Sequence, residues 1–190
     1  MIRIGILGDI GSGKTFVANC FGHLVFNADR EVNKIYKRNY KCFLKLKKKF
    51  PNFITKFPII KSEIIKLIRF NSKNLKTIGK IVHPYVNNEL KIFLRKNKNK
   101  IVILDIPLLL ENKIKVKNLY FVFVHAKQKE IKKRLKKRSH FNQKLYKLIK
   151  KNQLSLSIKR KKSSFVINND FKKFSVMKNI KKIKKELNYL

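Results

Sequence analysis

An α/β domain on a mostly parallel sheet is the fold class that this 190-residue sequence predicts. Short apolar runs alternate with stretches whose apolar residues recur at helical spacing. Two of the runs, Ile101 to Leu104 and Leu119 to Val124, are continuous, as suits strands buried on both faces. The first run ends in a glycine-rich turn that leads directly into a helical pattern.

Taken in order, Ile2 to Leu7 is apolar and β-branched, the glycines follow, and Thr15 to Phe21 reads as a helix. Val25 to Asn27 forms a second short strand. From Arg30 to Lys48, and again from Ser62 to Arg95, apolar residues recur at helical spacing among lysines, with the Pro51 to Pro58 stretch between them. That is a helical excursion from the sheet. After the two continuous strands, Gln128 to Lys151 reads as two basic helices broken near Ser139 to Asn142. Phe165 to Ile167 is a last strand, and a closing helix runs from Phe171 to the end. No internal repeat and no Gly/Ser-rich linker divides the chain.

Lysine and arginine number 49 against 10 acidic residues, a net charge of +39. With 44% hydrophobic and 11% aromatic residues, this is not a disordered basic tail. Lys outnumbers Arg 41 to 8 and Ala occurs three times, while Asn, Ile and Phe abound. Those favoured residues have A/T-rich codons, so a nucleotide bias is expected to account for the excess of lysine, the alternative being selection for a polyanionic partner. Arginine, the usual choice for bidentate phosphate and base recognition, is scarce. Cys20 and Cys42 have neither metal-ligand spacing nor a disulfide framework, which fits a reducing compartment. The longest apolar stretch, Ile101 to Leu110, is broken by Asp105 and Pro107 and is too short to span a bilayer. The opening residues run into glycines and a lysine where a secretory signal needs an apolar region, so a cytoplasmic protein is expected.

Gly8-Asp9-Ile10-Gly11-Ser12-Gly13-Lys14-Thr15 satisfies the G-x-x-x-x-G-K-[ST] pattern of a phosphate-binding P-loop, with a predicted strand before it and a helix after. Glycines at Gly8, Gly11 and Gly13 let the backbone N–H groups, that of Ser12 among them, turn toward phosphate oxygens. The helix beginning at Lys14 adds the positive end of its dipole. Lys14 is expected to reach the β- and γ-phosphates of ATP, and the Thr15 hydroxyl to bind Mg²⁺. Asp9 is the odd member, since a carboxylate there opposes polyphosphate; its side chain is expected to point outward.

Acids are rare enough here to be informative. Asp29 and Asp105 fall at the carboxyl ends of the second and third strands, where open α/β sheets bind ligands. Either could accept the proton of an attacking hydroxyl or hold a metal through water. The alternatives are helix capping for Asp29 and loop capping for Asp105. Arg134 and Arg138 share a helix face at i,i+4, which suits either a solvated surface or a clamp on transferring phosphate. His83, before Pro84 in a helical region, reads most simply as a helix-boundary or core residue.

Together these residues resemble the dephospho-CoA kinase family, nearly end to end and in the same order. The opening loop, Asn27-Ala28-Asp29, His83-Pro84, Leu104-Asp105-Ile106-Pro107-Leu108-Leu109-Leu110-Glu111, the two arginines, Gln153 through Lys159 and Phe165-Val166-Ile167-Asn168-Asn169 all have counterparts there. The resemblance implies a P-loop kinase fold in a single domain over 1–190, with a core of about 1–29, 100–127 and 160–190. It also implies a CoA-binding helical excursion at about 30–99 and a lid at about 128–159. The implied reaction moves the γ-phosphoryl of ATP to the 3′-hydroxyl of dephospho-CoA. By position, Lys14, Asp29 and Arg134 would be catalytic. Gly8, Gly11 to Thr15 and Arg138 would bind ATP; His83, Asp105 and Pro107 would bind substrate; Thr15 would hold Mg²⁺. Where the family has other residues, this chain has Asp9, Phe16, Asn27 and Ser164, and its segment between Lys14 and Asp29 is shorter. The alternatives are another P-loop nucleoside or nucleotide kinase, and a basic nucleic-acid-binding P-loop NTPase. Dispersed lysines and the lack of an aromatic RNA-binding signature count against the last. No specific nucleic acid, no membrane, and a monomer or weak homo-oligomer are expected.

Overall fold

The computed structural model describes residues 2–111, 116–137 and 143–187. The chain forms two compact units, Met1–Asn27 with Asn97–Leu190, and Ala28–Lys96.

The first unit holds a five-stranded, all-parallel sheet of order β2-β3-β1-β4-β5. Its strands are β1 (Arg3–Gly8), β2 (Leu24–Asn27), β3 (Val102–Asp105), β4 (Leu119–His125) and β5 (Phe165–Asn168). Because β1 has β3 on one side and β4 on the other, the strand order reverses there. Open α/β sheets bind ligands beyond the carboxyl ends at such a switch point, and the chain leaves β1 there at Gly8.

The helices α1 (Lys14–Cys20) and α9 (Lys173–Glu186) cover one face of the sheet. Val17, Ala18 and Phe21 from the first, with Val176, Ile180 and Ile183 from the second, pack on Ile4, Ile6, Ile103, Val122, Val124 and Ile167. α6 (Gln128–Lys136), α7 (Gln143–Lys151) and α8 (Leu156–Lys161) complete this unit. Sequence patterning does not reveal α8; its six residues are too few to show a period, and Ser155 caps it by accepting from Ile158 N at 3.3 Å. All four residues of β3 are buried as expected, whereas in β4 only Val122 to Val124 are, and Tyr120 is exposed. Gly5 has a packing role: a Cβ there would stand 2.6 Å from Leu109 Cδ2, so its absence lets the turn after β3 seat Leu109 on β1.

The second unit is helical: α2 (Ala28–Arg38), α3 (Tyr40–Lys49), α4 (Lys61–Phe70) and α5 (Asn74–Lys96). α5 packs against the other three through Ile78, Val82, Val86 and Leu90. Asn39 caps α3 by accepting from Cys42 N at 2.8 Å. Pro84 lies inside α5, so His83 is mid-helix and exposed, correcting the expectation of a boundary or core residue. The i−4 hydrogen bond that Pro84 forgoes is one loss in a long helix held by four buried contacts.

Candidate active site

The loop between β1 and α1 has the backbone its glycines require. Gly8, Gly11 and Gly13 have φ of 148°, 83° and 88°, which side-chain-bearing residues avoid. Space matters too: a Cβ on Gly8 would stand 2.6 Å from the Val124 carbonyl oxygen, and one on Gly13 would run into Asn169 Nδ2. Gly13 precedes α1 and offers no side-chain cap, so the first-turn N–H groups of that helix receive no capping oxygen from it. Such groups suit an anion. The buried Ser12 hydroxyl has no hydrogen-bond partner among the described residues, which also fits a loop built to take phosphate oxygens.

Asn169, just past β5, braces this loop. Buried to 4% exposure, it donates from Nδ2 to the Ser12 carbonyl at 2.8 Å and accepts from Phe171 N at Oδ1 at 2.9 Å. Its own N–H bonds His125 O at 2.7 Å, fixing it to the end of β4. Phe171 has φ of 65°, an uncommon conformation for an aromatic residue, and its ring lies against Gly13. Over that ring sits the Arg134 guanidinium, 4.1 Å from the centroid. The structure thus brings Arg134 of α6 to the same aromatic side chain that touches the phosphate loop.

Lys14 Nζ donates to the backbone carbonyls of Asp9 (2.8 Å) and Gly8 (3.4 Å), curled over its own loop. The Asp9 side chain, expected to point outward from the phosphate site, is buried, only 3% exposed. One oxygen accepts from Ile10 N at 2.8 Å; the other accepts from Gln128 Nε2 at 3.1 Å and lies 3.7 Å from Lys150 Nζ. Burial alone would lower the Lys150 ammonium, but the Tyr146 hydroxyl and the Asp9 carboxylate more than offset that and raise it.

Beneath the loop, β2 and β3 place Asn27 opposite Asp105 in register. Asp105 is 3% exposed, and its Oδ2 accepts at 2.6 Å both from Thr15 Oγ1 and from Asn27 Nδ2. Both donors to this oxygen are side chains and not loop N–H groups. A hydroxyl and a carboxylate, both hard oxygen donors, side by side at a phosphate loop fit Mg²⁺, which is usually bound by one or two carboxylates together with substrate phosphates. No group of three or more His, Cys, Asp or Glu side chains that could hold a metal occurs among the described residues, and a Mg²⁺ site of this kind needs none.

Of the remaining expected site residues, Asp29 is exposed in the first turn of α2, one residue inside the helix and not its cap. His83 is on α5, where its ring packs over Gly79: a Cβ on that glycine would lie 3.3 Å from His83 Cε1. Pro107 is half-buried in the turn after β3. Arg138 lies outside the described residues.

Three residues received no role from the sequence: Gln128, and Asn169 and Lys159, which appear there only within the segments that carry the resemblance. Lys159 is only 1% exposed; its ammonium lies 3.0 Å from Glu111 Oε1 and 3.2 Å from Gln153 Oε1. Glu111 Oε1 also accepts from Leu154 N at 2.9 Å, tying the turn after β3 to the start of α8. The available signal was the co-occurrence of Glu111, Gln153 and Lys159 in one resemblance. Nothing local distinguishes one buried lysine from the many others in the chain.

Comparison with known proteins adds the following. A family model described as Dephospho-CoA kinase matches residues 2–174. The Dephospho-CoA kinase of Wolbachia pipientis wMel is 37% identical over 191 residues, covering 97% of each chain. A crystal structure titled TT1252 from Thermus thermophilus superposes with a TM-score of 0.77 at 27% identity, covering 98% of this chain and 97% of that one. The structure of Dephospho-CoA kinase from Campylobacter jejuni matches with a TM-score of 0.61 at 24% identity over 97% and 96% of the two chains, a likeness of fold.

Proposed function

The chain belongs to the dephospho-CoA kinase family, and from that premise we propose how its residues divide the work. The reaction is ATP-dependent phosphorylation of dephospho-CoA in coenzyme A biosynthesis, with ATP as co-substrate. The observation that carries the residue assignment is the Thr15–Asp105–Asn27 arrangement beneath a glycine loop of the right backbone conformation.

In our reading Gly8, Gly11, Ser12, Gly13 and Lys14 hold the ATP phosphates, Lys14 releasing its two carbonyls to reach the β- and γ-oxygens. Thr15 and Asp105 would hold Mg²⁺, which would supply neutralisation of the charge on the phosphates. Asp29 accepts the proton of the 3′-hydroxyl as it attacks, a step that positioned bases accelerate by about 100- to 10,000-fold. Arg134 stabilises charge on the transferring phosphoryl group, for which a planar guanidinium is suited, and Arg138, four residues on in sequence, binds ATP. His83 and Pro107 contact the acceptor. The helical unit takes the CoA moiety, and residues 128–159 act as a lid that excludes water during transfer.

We place the protein in the cytoplasm as a monomer or weak homo-oligomer without a specific nucleic-acid partner. No described helix is long and apolar enough to cross a membrane. The positive charge favours encounter with two polyanionic substrates. The test is ADP release from ATP, coupled to a reporter, with and without dephospho-CoA and with other nucleosides as acceptors. The reading requires strong dependence on dephospho-CoA; equal rates with adenosine or a deoxynucleoside would overturn it.

A further inference from the structure

Asp9 sets a carboxylate inside a loop whose other groups suit an anion, and its partners come from far along the chain. Gln128, the first residue of α6, donates to Oδ2, while Lys150 in the last turn of α7 stands 3.7 Å from the same oxygen. The neighbouring Ile10 packs against Ala126, Ile131 and Leu135, with Tyr146 and Phe171 in the same cluster. A Cβ on Gly11 would lie 3.1 Å from Ile131 Cγ2 and from Leu135 Cγ, so the loop apex rests directly on α6. Lys150 is steadied by Tyr146, whose hydroxyl is 3.4 Å from Nζ.

Resting on the kinase reading above, we infer that Asp9 and Lys150 form a charge-compensated tie between the phosphate loop and α7, which with Gln128 positions α6, and hence Arg134, for bound ATP. The physical case has two parts. A buried carboxylate next to a polyphosphate site is repulsive unless a cation balances it, and Lys150 supplies an ammonium within 4 Å. The same carboxylate gives α6 a polar anchor to complement the apolar contacts of Ile131 and Leu135, holding the helix that carries Arg134 against the loop. Asp9 and Lys150 therefore act through Arg134 and the loop as positioning residues.

The two functions have opposite signatures under mutation. Lys150→Met removes the balancing charge and leaves the acid in place, so ATP affinity falls by about tenfold, within the coulombic range for charges about 4 Å apart. Adding Asp9→Asn to that variant removes the acid while its Oδ1 still accepts from Ile10 N–H and its Nδ2 donates to Gln128 Oε1 once the Gln128 amide turns over, and affinity returns to within about threefold of the starting protein. Asp9→Ala loses the anchor: kcat falls about tenfold with the KM for dephospho-CoA unchanged, and Asp9→Asn alone restores kcat. ATP dissociation constants are read by titration without acceptor, alongside steady-state rates and a thermal melt of each variant. If Lys150→Met does not fold, Lys150→Gln takes its place. Losses that add in the double variant, or an unchanged ATP dissociation constant in the single lysine variant, overturn the proposal. Because the titration contains no dephospho-CoA, such a failure is separable from failure of the kinase reading, which shows as absent transfer in the unmodified protein.

Discussion

Replacing Asn169 with alanine should disable the phosphate loop from outside it. The substitution strips two hydrogen bonds, to the Ser12 carbonyl at 2.8 Å and from Phe171 N at 2.9 Å. Ser12 is 1% exposed, so its carbonyl gains little solvent in exchange. Each buried group left without a partner costs about 1–3 kcal/mol, giving about 2–6 kcal/mol in all. At about 2–4 °C per kcal/mol for a chain of this length, the midpoint of thermal unfolding drops by about 4–24 °C. The functional effect exceeds the stability effect, because Asn169 fills the space beside Gly13 and sets where the loop N–H groups point. A displacement of about 1 Å there costs on the order of 100-fold in rate. Asn169→Asp separates the two bonds: it keeps an acceptor for Phe171 N–H but sets a carboxylate against the Ser12 carbonyl, so ATP binding suffers at least as much as in the alanine variant. The assay is ATP titration with kcat determination and a melt on the same samples. An alanine variant that melts early yet retains ATP affinity and kcat within about threefold would refute the positional argument and leave Asn169 a brace.

Four further outcomes are expected. Lys159→Ala leaves the Glu111 carboxylate without the ammonium at 3.0 Å, which at this burial costs about 3–5 kcal/mol, whereas Lys159→Met with Glu111→Leu recovers most of it; chemical denaturation of both variants is the check. Asp29→Asn lowers kcat by at least about 100-fold with ATP affinity unchanged. By contrast Asn27→Asp, which brings a second carboxylate to within hydrogen-bonding distance of Asp105, lowers melting temperature in EDTA without reducing kcat at saturating Mg²⁺. Burial pushes the Cys42 thiol up from about 9 to about 11 against a smaller opposing effect of Lys45. A raised acid of this kind contributes stability below pH about 9 that is lost as pH rises toward 11. The unmodified protein should therefore lose more stability than Cys42→Ala between about pH 8 and about pH 10.5, as read by denaturant titration at each pH.

What was legible in the sequence was what is written locally. The phosphate loop lies in eight consecutive residues whose glycines each have a backbone reason, and the alternation of apolar runs with helical spacing follows from the periods of strand and helix. The strands fall within a residue or two of their expected limits, and the four helices of the second unit lie close to the two predicted stretches. Misreadings arise where a residue's partner is remote. Asp9 looks like a charge that must only be turned away from the phosphates because Gln128 and Lys150, which satisfy it, are 119 and 141 positions away. Asn169 carries no visible role for the same reason, its acceptor lying 157 residues earlier.

By itself the sequence determined the class of fold, the phosphate loop and, through resemblance, the family. Each of these depends on residue order and short-range stereochemistry. Only the tertiary structure decided which polar groups meet: that β2 and β3 pair in the register that sets Asn27 beside Asp105, that Asn169 holds Ser12, and that one lysine among many is buried on Glu111. The physical reason is that hydrogen bonds reach only about 3 Å. Whether two groups come that close depends on how strands register and helices seat on the sheet, which no short window of sequence specifies.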